Sequence, residues 1–159
     1  KGRGKMITDE SHMYNIIDSL IVCKFSRGTY YAGWKDLANY YTLATGIPIT
    51  VEEMTRDGDR IENLARLFNI REGKGTRKFD DVPYKIKNFP VPDEGPAKGV
   101  CVNDEEMAIG LDDYYASRGW TAEGIPTVER LQQVGLGDLV YIAENAMKAA
   151  QEAKAQGGN

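Results

Sequence analysis

Hydrophobic residues recur with helical spacing along most of the chain. In the first segment, the apolar positions lie three and four residues apart and are Met13, Ile16, Ile17, Leu20 and Ile21. This spacing predicts a helix that buries one face, with Thr8 and Asp9 as candidate N-caps. The segment ends in Asp18-Ser-Leu-Ile-Val-Cys23. An unbroken helix would place Asp18 and Cys23 about 140° apart, so a single ligand could reach both only if the backbone turns between them.

The next two predicted helices have clear signals at their ends. The second has apolar residues at helical spacing, namely Trp34, Leu37, Ala38 and Tyr41. Gly46 is placed to end it as a left-handed cap. Thr50 and Glu53 form a capping box that predicts the start of a third, longer helix. Its expected buried stripe consists of Met54, Ile61, Leu64, Ala65 and Phe68, and Gly58 indicates a close approach between helices.

Helical periodicity disappears between Arg71 and Asn103, where glycine and proline are frequent. A segment of this length without regular structure is uncommon in a compact domain and is usually functional or disordered. Its apolar residues predict that it packs on the body of the domain; they are Phe79, Tyr84, Ile86, Phe89 and Val91. We therefore expect a long crossover segment, which could wall a substrate channel.

Three more helices are predicted after the crossover. Asn103 opens the first and Gly119 closes it, Thr127 caps a short second helix, and Asp138 starts the last. The composition after Ala150 predicts a frayed tail at 151–159. Because there is no alternating pattern typical of strands, we predict an all-α fold: a single irregular helical domain over 1–159 with one long Gly/Pro-rich crossover.

Composition narrows the functional classes. The net charge of −4 and a pI near 5.1 argue against nucleic-acid binding, and the chain has no apolar run long enough to span a membrane. Two cysteines without metal-site spacing indicate a reducing, cytoplasmic location rather than a disulfide. The first residue is Lys1, so we expect the chain to be part of a longer protein.

Most polar residues that could be catalytic have a simpler structural interpretation. His12, the only histidine, has no evident triad partner and is predicted to lie at the surface. The basic and aromatic residues between Arg27 and Lys35 suit core packing better than single-strand binding. Acidic pairs such as Asp80-Asp81 are interpreted as helix-terminal or solvated charges. Cys101 is assigned no role, and no catalytic residue is predicted. Taken alone, Cys23 would be a buried core residue.

Three stretches together resemble the C-terminal domain of the tungsten-containing aldehyde ferredoxin oxidoreductase family. The first, Asp18-Ser-Leu-Ile-Val-Cys23, is similar to the family's Asp-x-x-Gly-Leu-Cys motif. The second runs from Arg60 to Gly73 and continues into Arg77-Lys-Phe-Asp-Asp-Val-Pro83. The third begins at Gly95-Pro-Ala-Lys-Gly99 and leads into Leu111-Asp-Asp-Tyr-Tyr-Ala-Ser-Arg-Gly-Trp120 and Gly124-Ile-Pro-Thr127. Between Asp18 and Leu136, these stretches follow the family's order and spacing.

The resemblance implies an oxidoreductase that converts aldehydes to carboxylic acids and passes the electrons through a 4Fe–4S cluster to ferredoxin. Oxidation takes place at tungsten held by two pterins of the molybdopterin type, a bis-pterin tungstopterin. In the family motif the cysteine is the fourth cluster ligand, which maps to Cys23. The aspartate hydrogen-bonds a pterin, which maps to Asp18. Backbone groups beside the cysteine approach the cofactor, which places Val22 and Lys24 there.

The resemblance also implies what the chain lacks. The motif's Gly-Leu is Ile21-Val22 here, although glycine most easily adopts a left-handed turn. The family's other three cluster cysteines and its N-terminal pterin-binding portion are not in this sequence. We therefore expect an inactive domain without cofactors when isolated, whose partner is the remainder of the enzyme. Its surface near Cys23 should be apolar and could support a homodimer. The alternatives are a non-catalytic helical interaction module and part of a related aromatic acyl-thioester reductase.

Overall fold

The computed structural model describes residues 3–25, 33–92 and 94–156. The fold is all-α, as predicted. Its main helices are α1 (Arg3–Ser19), α2 (Trp34–Thr45), α3 (Val51–Arg71), α4 (Tyr84–Asn88), α5 (Asp104–Arg118), α6 (Val128–Gln133) and α7 (Val140–Gln156). Short 3₁₀ turns lie at Arg77–Phe79 and Gly137–Leu139. Within the described residues, the only β-type pairing is a single bridge between Trp120 and Pro126.

The helix ends confirm the predicted capping signals. Thr50 Oγ1 accepts a hydrogen bond from the Glu53 amide at 3.1 Å, and the Glu53 carboxylate accepts one from the Thr50 amide at 2.9 Å. Gly46 and Gly119 both adopt the left-handed conformation that ends α2 and α5. Asn103 caps α5 through the amide of Glu106. These boundaries were predictable because each depends on residues close in sequence.

The helices surround two hydrophobic clusters. The first lies among α1, α2 and the start of α3, and its buried members are Met13, Ile16, Ile17, Leu37, Ala38 and Met54. The second lies among the end of α3, α6, α7 and the adjoining turns, and its buried members are Leu67, Ile125, Leu131, Val134, Leu136 and Ala143. The first cluster supports the end of α1 and therefore the Asp18–Cys23 segment.

Helix α1 is packed backbone-to-backbone against two other helices. A Cβ atom added at Gly58 of α3 would lie 2.5 Å from the carbonyl oxygen of His12, and one added at Gly4 of α1 would lie 2.4 Å from that of Asp113. Both contacts are closer than any side chain allows, so glycine is required at each position. The close helix approach predicted at Gly58 is confirmed.

The predicted start of α1 is wrong. The helix begins at Arg3, and Thr8 lies inside it, buried, with its hydroxyl 2.6 Å from Ser117 Oγ of α5. Thr8 therefore does not cap the helix but links it to α5. A hydroxyl inside a helix is accommodated when it finds a partner on a neighbouring element.

Part of the predicted stripe of α3 is also wrong. Leu64 and Phe68 are 46% and 54% exposed. The buried face is instead rotated by about one residue and includes polar positions, namely Met54, Gly58, Asp59, Asn63 and Leu67. Two contacts account for this rotation. One is the contact with α1 at Gly58, and the other is the hydrogen bond that the Asn63 side-chain oxygen Oδ1 accepts from Trp120 Nε1 at 2.8 Å.

The crossover is attached to the body of the domain by polar contacts at its base. Arg77 binds Asp112 at 2.5 Å and the carbonyl oxygens of Ala108 and Ala122. The apolar residues expected to attach the segment are largely exposed; Tyr84 is 74% and Phe89 61% exposed. That part of the prediction is wrong, because charged side chains rather than apolar ones secure the segment.

The last helix extends to Gln156, six residues beyond Ala150, and all of its residues from 151 onward are exposed. Lys154 near its end forms an ion pair with Glu123 at 2.5 Å. Among the residues that the structure describes, none of the helices combines the length and apolar character needed to cross a bilayer.

Candidate functional site

The candidate site lies at the C-terminal end of α1, where the backbone turns sharply. The Val22 amide donates to the Ile17 carbonyl oxygen at 3.1 Å, and the Ile21 amide donates to the Asp18 carbonyl oxygen at 3.2 Å. This pair of hydrogen bonds is the Schellman pattern that ends many helices. The backbone therefore turns between Asp18 and Cys23, a point that the spacing alone left open.

Ile21 occupies the left-handed position of this turn, with φ of 57°. Within the described residues it is the only non-glycine residue with a positive φ, and a β-branched residue is rare there. Its side chain is 93% exposed, so the prediction that Ile21 lies on the buried face is wrong. The apolar period continues two residues, Leu20 and Ile21, past the end of the helix at Ser19.

Val22 follows Ile21 and turns back toward the interior. Its side chain packs against the first hydrophobic cluster, together with Leu20. The turn thus has a partly buried apolar residue on each side of the exposed Ile21. Helix ends of this type often have a hydrophobic residue at the position that Val22 occupies.

Three of the predicted site residues, Asp18, Cys23 and Lys24, are exposed on this turn, and Val22 is partly buried. Cys23 is a free, exposed cysteine, so the interpretation of an isolated Cys23 as a core residue is wrong. Asp18 is exposed, and Lys24 Nζ lies 3.6 Å from its Oδ2 atom. Lys24 also lies over the Tyr14 ring, 5.1 Å from the centroid. Phe25, at 81% exposure, adds to the apolar surface that Ile21 begins.

The donor set on this turn is incomplete for any metal centre. Within the described ranges, no three His, Cys, Asp or Glu side chains are grouped closely enough to hold an ion. Cys101 is partly buried in the crossover, where it lines a separate cleft of about 590 Å³ with Phe89, Val91 and Val100. The turn therefore presents one thiol and one carboxylate, fewer donors than a metal centre needs.

A second polar centre, which sequence reasoning missed, joins α3, the crossover and α5. Arg66 donates to both carboxylate oxygens of Asp80, at 2.8 and 2.5 Å, and the Tyr115 hydroxyl donates to the same group. Asp80 was predicted to be solvated; that prediction is wrong. The three residues are 14 and 35 positions apart, and no sequence signal links them.

Electrostatics favour the charged form of Asp80. Burial alone would raise its pKa, but hydrogen bonds from Arg66 and Tyr115 and the charges of Arg66 and Arg77 outweigh burial and lower it below the usual value. Burial and the hydrogen bond to Asp80 raise the pKa of Tyr115. Asp80 is therefore held as a carboxylate and Tyr115 as a neutral phenol, which is what their hydrogen bond requires. We call Arg66, Asp80 and Tyr115 the clamp, because they tie the crossover to α3 and α5.

His12 is buried rather than at the surface, so its prediction is wrong. Its Nε2 atom lies 3.3 Å from Asp59 Oδ1, and Arg130 Nη1 lies 3.1 Å from Asp59 Oδ2. Burial would raise the pKa of Asp59, but the contact with His12 and the charges of Arg130 and Arg118 lower it. The cluster of His12, Asp59 and Arg130 therefore connects α1, α3 and α6.

The basic and aromatic stretch is only partly described. Residues 27–32 of this stretch lie outside the described residues. Trp34 is partly buried and packs against the first hydrophobic cluster, which agrees with the core-packing interpretation of that residue.

Comparison with known proteins identifies the family. The family model described as aldehyde ferredoxin oxidoreductase, domains 2 & 3, matches residues 1–136. The chain therefore belongs to the aldehyde ferredoxin oxidoreductase family, and the predicted resemblance is confirmed.

Individual relatives agree with this assignment. The chain is 34% identical over 134 residues to a tungsten-containing aldehyde ferredoxin oxidoreductase of Pyrococcus furiosus, covering 84% of this chain and 21% of that protein. It is 34% identical over 136 residues to the Pyrococcus abyssi protein of the same name, covering 86% and 21%. It is 30% identical over 126 residues to an aliphatic sulfonate oxidoreductase, WOR-like subunit, of Pyrococcus furiosus, covering 76% and 19%. The chain thus spans about a fifth of the length of these relatives.

Proposed function

We propose that this chain is the part of a tungstopterin oxidoreductase that completes its iron–sulfur cluster. The assembled enzyme oxidises aldehydes to carboxylic acids and passes the electrons through a 4Fe–4S cluster to ferredoxin. Family membership over residues 1–136 supports this proposal, as do relatives named tungsten-containing aldehyde ferredoxin oxidoreductase. The chain spans about 21% of those relatives, so the activity belongs to the assembled enzyme.

Four residues of the turn have roles in the proposal: Cys23, Asp18, Val22 and Lys24. Cys23 provides the fourth cluster ligand, since its thiol is exposed at the surface and these clusters are held by cysteine thiolates. Asp18 accepts hydrogen bonds from a pterin, because a carboxylate can accept two parallel N–H bonds from an amino-pyrimidine edge. Backbone groups of Val22 and Lys24 approach the cofactor.

The chemistry of the donor set fits a shared centre. One thiolate cannot hold a cluster that needs four, and the described residues contain no other group of metal-binding side chains. When bound, the tungstopterin supplies the oxidation of the aldehyde and the cluster carries the electrons away. This chain's contribution is to hold a thiolate and a carboxylate on one fixed turn.

One observation carries the proposal: Asp18 and Cys23 are both exposed on a single hydrogen-bonded turn that ends α1. A turn used only to end a helix would not require either side chain to face outward. The Ile21-Val22 replacement does not remove the turn, because Ile21 adopts the left-handed conformation that the motif's glycine would adopt. This weakens the case for a module that has lost its cofactor role.

The test is a pair of cysteine variants in the assembled enzyme. Cys23→Ser should lose most of the iron of the cluster and its reduced-state EPR signal, because serine is a much weaker cluster ligand than a thiolate. Cys101→Ser is the matched control and should keep both. If Cys23→Ser retains full iron and an unchanged spectrum, the proposal is wrong and the chain is better described as an interaction module.

A further inference from the structure

The turn after α1 holds Val22 more firmly than its neighbours. Its amide donates to the Ile17 carbonyl oxygen at 3.1 Å, and its side chain packs against the first hydrophobic cluster. Ile21 before it is 93% exposed, and Cys23 after it is also exposed. Val22 is thus a partly buried residue between two exposed ones.

Val22 is also the last core contact before an exposed stretch. Cys23, Lys24 and Phe25 are all exposed, so these three residues have no buried side chain to fix their backbone. Consecutive Cα atoms are about 3.8 Å apart, which means that the position of Val22 limits where the Cys23 backbone can lie. The remaining freedom of the sulfur atom comes from the backbone torsions between Val22 and Cys23 and from the side-chain torsion of Cys23.

We infer that Val22 is a positioning residue for Cys23: by packing its side chain against the first hydrophobic cluster, it fixes the point at which the chain leaves α1 and so restricts the position of the cluster-ligating sulfur. This inference rests on the proposed function. Metal ligands must be held to within about 0.5 Å by a supporting shell. Loss of such support typically weakens metal binding by about 10- to 100-fold.

The same turn assigns a different role to Ile21. What the turn requires at this position is a left-handed backbone, and the exposed Ile21 side chain contributes nothing to the packing of Val22. Replacing Ile21 with glycine should therefore leave the sulfur in place, whereas truncating Val22 should release it. Ile21 thus contributes a backbone conformation to the turn, whereas Val22 contributes a side chain that packs against the core.

The experiment uses the assembled oxidoreductase, purified without oxygen. Val22→Ala should release iron to a chelator about 10-fold faster and broaden the EPR spectrum of the reduced cluster. Val22→Leu keeps a branched apolar anchor, although a larger one, and carries the residue found in the family motif, so it should behave like the parent enzyme. Ile21→Gly should also keep the parent spectrum and release rate. An unchanged spectrum and release rate in Val22→Ala would overturn the inference.

A core variant in the second hydrophobic cluster separates positioning from general destabilisation. Leu131 of α6 is 0% exposed and belongs to that cluster, whereas Val22 packs against the first. Leu131→Ala should lower the thermal midpoint at least as much as Val22→Ala, yet leave iron release and the spectrum unchanged. If Leu131→Ala reproduces the Val22→Ala effect, the effect is one of stability and the inference is wrong.

Cys23→Ser, measured in the same preparation, distinguishes this inference from the proposed function. Unchanged iron in Cys23→Ser would reject the proposed function itself. Loss of iron in Cys23→Ser, with no effect of Val22→Ala, would reject only the positioning role.

Discussion

Ile21 shows how a single residue can carry strain where a glycine would carry none. A left-handed conformation costs an L-residue about 1–2 kcal/mol, and the side chain of Ile21 recovers little by burial because it is 93% exposed. The strain is tolerated because the hydrogen bonds of the turn and the packing of Val22 determine the backbone on both sides.

We expect Ile21→Gly to stabilise the chain. Relief of the left-handed strain is partly offset by the greater freedom of glycine in the unfolded state, about 0.5–1 kcal/mol, which leaves a gain of about 1 kcal/mol. Urea unfolding measures this gain as a higher midpoint. Ile21→Ala is the control: it removes the same exposed apolar surface but keeps a Cβ atom, so its midpoint should change little. Equal gains from both variants would mean that surface, not backbone strain, is responsible.

Asp80 illustrates a contact that depends on charge. Its carboxylate pairs with Arg66, whose side chain is only 10% exposed, and removing one partner leaves the other charge without compensation. We expect Asp80→Asn to lower the free energy of unfolding by about 2–3 kcal/mol, measured by chemical denaturation at pH 7. The neighbouring Asp81→Asn should have little effect, because Asp81 is exposed. Similar losses in the two variants would contradict this assignment.

Asp59 and Asp80 predict how stability depends on pH. Both have a pKa below the ordinary value of 3.8 in the folded chain, so the folded state binds fewer protons than the unfolded state as the pH approaches that value. Their contribution to stability is therefore complete above the unfolded pKa and is lost as the pH falls through the folded pKa. We expect the urea midpoint to fall below about pH 4, and less steeply in Asp59→Asn. An equally steep fall in that variant would exclude Asp59 as a source.

At the scale of helices, the features that could be predicted from the sequence were those set by residues close together in the chain. The Thr50–Glu53 capping box and the glycine at the end of α2 were correct because both signals lie within one turn of the helix end. The buried face of α3 was only partly predictable. Its polar members Asp59 and Asn63 are buried because residues 47 and 57 positions away supply their partners, His12 and Trp120.

The pair of Asp18 and Cys23 was predicted from the family resemblance and not from helix signals. Spacing alone left open whether the chain turns between Asp18 and Cys23; the resemblance, not the hydrophobic period, singled out the pair. The left-handed turn itself had no signal in this sequence, because isoleucine replaces the glycine that would have marked it. The clamp of Arg66, Asp80 and Tyr115 was not predictable, since it is assembled from three elements.

Helix packing gives a prediction with a built-in control. Gly58→Ala would place a Cβ atom 2.5 Å from the carbonyl oxygen of His12, so α1 and α3 must separate at a cost of about 1–3 kcal/mol. Gly110 lies inside α5 with nothing within 4 Å of an added Cβ atom. Gly110→Ala should therefore stabilise the chain by about 0.5–1 kcal/mol. Thermal unfolding of both variants measures the difference, and a change of the same sign in both would refute the close-packing argument.

At the scale of the whole molecule, the two cysteines mark different surfaces. Cys23 lies on the turn after α1, whereas Cys101 lies in the crossover and lines a cleft bounded by Phe89, Val91 and Val100. The chain contains no other cysteine. If the remainder of the enzyme supplies the other cluster ligands, assembly must cover the Cys23 surface and immobilise its thiolate.

Thiol labelling tests this directly. In the separate chain, Cys23 should react readily with a maleimide, because it is exposed. In the assembled enzyme it should be protected, and removal of iron by a chelator should restore its reactivity, since a metal-bound thiolate is a poor nucleophile until the metal leaves. Cys101 is the internal control: iron removal should leave its labelling rate unchanged. Mass spectrometry of the labelled peptides reads both sites in one sample. If Cys23 in the assembled enzyme labels as fast before iron removal as it does in the separate chain, no metal occupies its sulfur and the proposed ligand role is wrong.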